Sequence, residues 1–179
     1  TDDDFAKDPR IIPGAFRHAH TEIETLAPTL KGQRVIIPCH KGLKLSQGAA
    51  ALLRLHDIPA ETVKGGHLEW VAQNLPLVRT DQAPIQNGLW VTRHRPKIDR
   101  IACPWLIRRF IDPQARFLFV APDQVLNVAE RFHATPFDVP DVEFTHDGDA
   151  CTFDAMLKAF GLTSKPLERL ATIIRAADT

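Results

Sequence analysis

The chain has 179 residues, 22 of them basic and 22 acidic, so its formal charge is zero. An apolar fraction of 44% and a charged fraction of 25% are ordinary for a soluble globular protein and exclude disordered and fibrous classes, and no apolar run approaches the ~20 residues that span a bilayer. Zero balance removes any global argument for nucleic-acid binding, while Cys39, Cys103 and Cys151 are too widely spaced for a disulfide framework and fit reduced thiols in a cytosol.

At ~100–200 residues per domain, this length allows one domain or two small ones. Residues 21–30 read as a short helix, with Thr21 and Glu24 in capping-box register. Arg34-Val35-Ile36-Ile37-Pro38 reads as a strand buried on both faces. A polar, cationic turn from Cys39 to Leu45 follows, and Ser46 is a fair N-cap for a helix over 47–56. Residues 60–64 read as a second strand, ended by Gly65-Gly66 and followed by a helical turn or two over 67–72. Strand, helix and strand within ~30 residues predict a βαβ unit with parallel pairing.

Residues 77–88 have few apolar anchors and read as a linker. Beyond it, the pattern predicts strands at 89–92, 117–120 and 142–145. A helix is expected over 101–111, with Pro104 in its first turn or kinking it, and with Ile98, Ala102, Trp105 and Phe110 facing inward. An amphipathic helix over 123–132 and two helices over 153–160 and 166–177, parted by Gly161, complete the reading. The opening Thr1-Asp2-Asp3-Asp4 does not read as a signal peptide, so a cytoplasmic protein is expected.

The sharpest local feature is Cys39-His40-Lys41-Gly42-Leu43-Lys44-Leu45-Ser46, set between a strand and a helix. A cysteine at the C-terminal edge of a parallel strand lies where open α/β sheets bind ligands. Backbone N–H groups, the helix N-terminus, Lys41 and Lys44 would all favour an anion there and lower the thiol pKa. The plain alternative is an inert cysteine that ends a strand. Ile12-Pro13-Gly14-Ala15, the Cys39–Ser46 loop and Val63-Lys64-Gly65-Gly66-His67-Leu68-Glu69-Trp70, in this order, resemble the motifs of a rhodanese-like domain over residues 1–76. That resemblance implies a parallel sheet with helices on both faces and a sulfurtransferase in which Cys39 carries a persulfide. Cys39, Lys41, Lys44 and Ser46 would form its site, Lys41 and Lys44 drawing in a small anionic sulfur donor. Lys44 and Leu45 stand where an arginine before the serine is often found, and the family's first strand would precede Thr1.

The second half separates its charge. Arg93, Arg95, Lys97, Arg100, Arg108, Arg109 and Arg116 stand against Asp99 and Asp112, whereas Asp138, Asp141, Glu143, Asp147, Asp149 and Asp154 have no Lys or Arg among them. Arginine forks at Arg93, Arg95, Arg100, Arg108 and Arg109, with Lys97, suit a tetrahedral oxyanion; a nucleic-acid contact and a solvated amphipathic helix are the alternatives, and the neutral balance argues against the former. Cys103, beside Pro104, would be acidic if it lay at a helix N-terminus. In His146-Asp147-Gly148-Asp149-Ala150-Cys151, the side chains of His146, Asp147 and Asp149 suit a divalent metal, although an Asp/Gly turn explains them equally. The basic and acidic blocks are expected to bound one cleft, each delivered by the end of a parallel strand.

Trp90-Val91-Thr92-Arg93, the run Pro96–Pro113, Phe144-Thr145-His146, Cys151-Thr152-Phe153-Asp154 and Arg175-Ala176-Ala177-Asp178 resemble the C-terminal domain of chromate-resistance proteins. That resemblance implies a smaller mixed α/β domain over 89–179, continuing beyond the last residue. The expectation is therefore a sulfurtransferase-like protein of a chromate-resistance system, whose second domain binds an oxyanion or metal. A non-catalytic chromate or metal sensor is the alternative. No membrane partner is expected, and the sulfur acceptor is open.

Overall fold

The structure, a computed structural model, describes residues 1–79 and 88–178. The chain divides into two compact units, Thr1–Leu75 and Pro76–Thr179, each mixed α/β with a small parallel sheet.

In the first unit, helix α1 (Asp2–Lys7) begins at Thr1, whose hydroxyl accepts the Asp4 N–H in a capping box. A 3-10 stretch, His20–Leu26, then runs into a single α-turn, Ala27–Leu30. It starts from Ala19 with no side-chain cap, so the box expected at Thr21 and Glu24 does not form. Strand β1 (Val35–Ile37) pairs in parallel with β2 (Ala60–Thr62), and α2 (Lys44–Leu55) connects them. Ala49, Ala50 and Leu53 recur at helical spacing and pack with Ile23, Ala27, Ile58 and Ala60 in one core. Val35 and Ile37 join that core, but Ile36 between them is 60% exposed, so β1 is not buried on both faces. With period-two alternation and one neighbouring strand, only one of its faces is covered. Helix α3 (Gly66–Ala72) closes the unit from Gly65, which holds the left-handed conformation at φ 71°.

In the second unit, β3 (Leu89–Arg93) is central, with β4 (Arg116–Val120) and β5 (Thr135–Pro136) parallel on either side. Val91 packs with Val125 and Ala129 of α5 (Val125–Phe132), while Trp90 meets the rings of Phe137 and Phe144 at 6.2 and 5.6 Å. Both faces of this strand are buried, as its continuous apolar run dictates. Residues 142–145 are not a strand; Phe144 forms a single parallel bridge to Phe137. Left-handed Asp138 and Asp141, flanking Pro140, bend the chain before extension can propagate.

Helix α4 (Ile98–Leu106) contains Pro104 in its interior and continues as a π-turn, Ile107–Ile111, with Asp112 N–H reaching the Ile107 carbonyl at 2.8 Å. Its buried face is Asp99, Cys103, Leu106 and Ile107 rather than Ile98, Ala102, Trp105 and Phe110. Trp105 is 47% exposed and packs edge-on against Phe110 at 5.7 Å. Asp99 takes an inward place because a backbone N–H satisfies it there, as described below. Helices α6 (Thr152–Ala159) and α7 (Lys165–Ala177) follow, parted by Gly161 at φ 63°. The linker expected at 77–88 falls mainly on 80–87, outside the described residues, and Leu77 and Val78 at its start are buried. Among the described residues, no helix is long and apolar enough to cross a membrane.

Candidate functional site

Cys39 emerges from the C-terminal end of β1, half-buried. Its Sγ donates to Ser46 Oγ at 3.2 Å, and Ser46 Oγ donates in turn to the Leu43 carbonyl at 3.2 Å. Ser46 is buried in the first turn of α2 and is not its cap; Leu43 holds that position without a side-chain bond. The helix thus starts two residues before Ser46, which frees the hydroxyl to face the thiol. Burial opposes ionisation of Cys39, but hydrogen bonding with the Ser46 hydroxyl and with backbone groups of Ser46, Leu43 and Lys41 outweighs it and holds the thiol below its ordinary pKa.

The loop is braced from behind by the glycine turn. His67 N–H donates to the Cys39 carbonyl at 2.9 Å, and Leu68 N–H donates to that of His40 at 3.1 Å. A methyl on Gly66 would overlap the Cys39 carbonyl and the Gly42 amide, and one on Gly42 would come within 2.6 Å of the Val63 carbonyl. Both glycines also hold positive φ, so two backbone segments meet where no side chain fits. A cleft of about 840 Å³ runs past Cys39, Ser46 and His67. His67 Nε2 lies 2.9 Å from Asp8 Oδ2, and Asp8 also accepts a two-pronged contact from Arg10 at 2.6 and 2.8 Å. Lys41 and Lys44 are exposed on the thiol loop. His67, Asp8 and Arg10 were not singled out by the sequence; the histidine of the Gly-Gly-His run was the available signal.

In the second unit, a buried polar cluster sits beside α4. Asp138 is 4% exposed and accepts from Arg93 at 3.0 Å, Arg100 at 2.8 Å and Thr152 Oγ1 at 3.1 Å. Asp99, 1% exposed, accepts the Thr152 N–H at 2.6 Å. His146 Nε2 lies 3.3 Å from Asp99, 3.5 Å from Asp138 and 3.2 Å from Asp178. Burial pushes the Asp99 carboxyl up against the pull of the Thr152 N–H, and the charges of Asp178 and Asp138 add to the rise.

This arrangement corrects the expected single cleft in its membership. Of the six basic candidates, Arg93 and Arg100 reach the cluster through Asp138. Arg95 and Lys97 are exposed; Arg108 donates to the Ala115 carbonyl at 2.9 Å and lies over Phe117, and Arg109 lies over Phe110. Asp147 and Asp149 remain on an exposed turn, where Asp147 bridges to Ala150, so His146 gathers with Asp99, Asp138 and Asp178 instead. Cys103 is not at a helix N-terminus. It is fully buried in α4, and burial together with the charges of Asp99 and Asp138 drives its thiol well up rather than down. Cys151 does precede a helix, α6. Burial nevertheless pushes its pKa up to about 12 against the pull of the Asp154 N–H, and the Asp154 carboxylate to which the thiol donates at 3.2 Å adds to the rise. The missed residue with a legible signal is Asp99, an acid four positions before Cys103 on what proves to be the apolar face.

Comparison with known proteins bears most directly on the second unit and reaches into the first. The family model described as "ChrB, C-terminal domain" matches residues 90–179. Protein ChrB of Cupriavidus metallidurans is 40% identical over 156 residues, which cover 74% of this chain and 45% of that relative. The chain thus spans about half the length of the curated relative that it matches. No solved structure matches the chain. With the family model covering half of its length, the chain belongs to the ChrB family of chromate-resistance proteins.

Proposed function

We propose that the chain acts as a sulfurtransferase of rhodanese type within a chromate-resistance system, in the cytoplasm, with Cys39 as its persulfide-forming nucleophile. The observation that supports it is the Cys39 thiol at the end of β1, hydrogen-bonded to Ser46 along the wall of a cleft and backed by two glycines, Gly42 and Gly66, where a side chain would clash with backbone. The Cys39 thiolate attacks the outer sulfur of a small anionic donor, the donor's sulfur–sulfur bond breaks, and the remaining anion departs with that electron pair. A nucleophilic acceptor then takes the outer sulfur of the persulfide and returns the thiolate. Lys41 and Lys44 attract the donor. The test is thiosulfate:cyanide sulfur transfer, paired with intact-mass detection of one added sulfur atom. Both signals should vanish in Cys39→Ser; transfer that survives that change overturns the assignment.

A second reading, a non-catalytic sensor, is favoured by a different observation. Arg93 Nε and Arg100 Nε are buried with no hydrogen-bond partner among the described residues, which suits an oxyanion approaching beside Asp138. Chromate binding that persists in Cys39→Ser and is lost in Arg93→Met, in a chain without sulfur transfer, would select this reading.

A further inference from the structure

Three carboxylates from separate parts of the second unit converge on one imidazole nitrogen. Asp99 comes from α4, Asp138 from the bend after β5 and Asp178 from the residue after α7. A ring N–H can serve one oxygen, not three. The separations from His146 Nε2, between 3.2 and 3.5 Å, are also longer than the ~2.7–2.9 Å of a charge-assisted hydrogen bond. The separations to Asp178 and Asp99, 3.2 and 3.3 Å, match the ligand-to-ligand edges of about 3.0–3.4 Å that arise when nitrogen and oxygen donors each stand about 2.1 Å from one ion, and the 3.5 Å to Asp138 lies just outside them. Donor atoms of Asp99, His146 and Asp178 all lie within 4.8 Å of one another.

A second observation is independent of that convergence. Asp99 meets His146 and the Thr152 N–H through Oδ2, while the other oxygen of the same carboxylate, Oδ1, is buried and has no hydrogen-bond partner among the described residues. An orphaned carboxylate oxygen in a protein interior is costly unless a cation meets it. Charge points the same way. Asp138 is matched by Arg93 and Arg100, whereas among the described residues Asp99 and Asp178 have His146 as their one ion-pair partner. We infer that Asp99, His146 and Asp178, with Asp138 beside them, form a binding site for a first-row divalent metal ion, distinct from the Cys39 site and independent of its chemistry.

One imidazole nitrogen with carboxylate oxygens suits Mn2+, Fe2+, Co2+ or Zn2+ better than Mg2+ or Ca2+, which take oxygen donors. Thr152 would act as the supporting shell, its N–H fixing Asp99 and its hydroxyl fixing Asp138. His146 is 45% exposed and gives the ion a way in.

The experiment titrates the EDTA-treated full chain with Mn2+, Zn2+ and Mg2+ by calorimetry. The expected result is one Mn2+ or Zn2+ per chain, with Mg2+ far weaker, and the same stoichiometry in Cys39→Ser. His146→Ala and Asp178→Asn change side chains that reach solvent, and each should weaken binding by about tenfold or more. Asp147→Asn and Asp149→Asn should leave it unchanged. Cobalt provides a readout that needs no variant: Co2+ on the wild-type chain should give weak visible bands without intense near-ultraviolet sulfur-to-metal absorption. The site is overturned by absence of binding, by wild-type affinity in both His146→Ala and Asp178→Asn, by loss of binding in Asp147→Asn, Asp149→Asn or Cys39→Ser, or by a thiolate spectrum with cobalt.

Discussion

The Cys39 carbonyl accepts the backbone N–H of His67 at 2.9 Å, so the peptide carrying the thiol and the turn that opens α3 are one hydrogen-bonded piece. The turn is therefore part of what aims Cys39. Gly66→Ala puts a methyl into the Cys39 carbonyl at a positive φ and should cost about 1–3 kcal/mol while slowing Cys39 alkylation. Urea unfolding and alkylation rate read the two effects. A Gly66→Ala chain with wild-type stability and reactivity would show that the turn is dispensable.

Alkylation rate against pH should give Cys39 a midpoint below the ~8.5 of a free thiol, and Ser46→Ala should raise it. Because the folded pKa lies below the unfolded one, ionisation of Cys39 favours the fold above the ordinary thiol pKa. That contribution fades as pH falls through the folded value. Cys103 and Cys151, both driven up, should remain unlabelled over the same range. Mass spectrometry of the labelled sites decides the order.

Lys41→Ala and Lys44→Ala should each weaken use of an anionic donor severalfold, since an exposed cation near an anion is worth only ~1 kcal/mol. The deficit should shrink in high salt. Apparent donor affinity that is unchanged in the double variant would remove both lysines from the site.

Asp138→Ala leaves two arginines and the Thr152 hydroxyl without their shared acceptor, and should destabilise the second unit by about 3–5 kcal/mol. Arg93→Met removes the more exposed partner and should cost less, because Arg100 still answers Asp138. Denaturant unfolding followed by tryptophan fluorescence compares the two.

Acid should act on the first unit through Asp8. The Arg10 hydrogen bonds hold its carboxyl far below the usual range, with burial opposing and His67 adding to the drop. A depressed folded pKa gives stability that is complete above the ordinary carboxyl value of ~3.9 and is lost as pH falls toward the folded one. Asp8→Asn should therefore flatten the acid unfolding curve below that pH, as circular dichroism would record.

Local chemistry was legible wherever one segment carried the whole pattern. The thiol loop, its paired glycines and the buried central run Leu89–Arg93 follow from spacing and side-chain type within a few residues. The second site was not legible in the same way. His146 was recognised, but its neighbours in sequence, Asp147 and Asp149, turn to solvent, while its neighbours in space come from 99, 138 and 178. Long-range convergence of this kind depends on packing: the spacing of Asp99 to Cys103 gives its helix face and not the partners that meet it there. The failed strand at 142–145 has a local cause: its apolar alternation was sound, but the left-handed bends at Asp138 and Asp141 prevail over it.

The wide turn at Ile107–Ile111 sets a phase boundary in the basic segment. One extra residue per turn rotates everything after it by roughly 100° relative to an unbroken α-helix. Arg100, upstream, answers Asp138, whereas Arg108 and Arg109, inside the wide turn, lie over Phe117 and Phe110. Two arginine sets that look continuous in the sequence therefore have different partners, and a one-residue deletion within 107–111, by turning the wide turn back into an α-turn, would shift the phase of the segment that leads into β4.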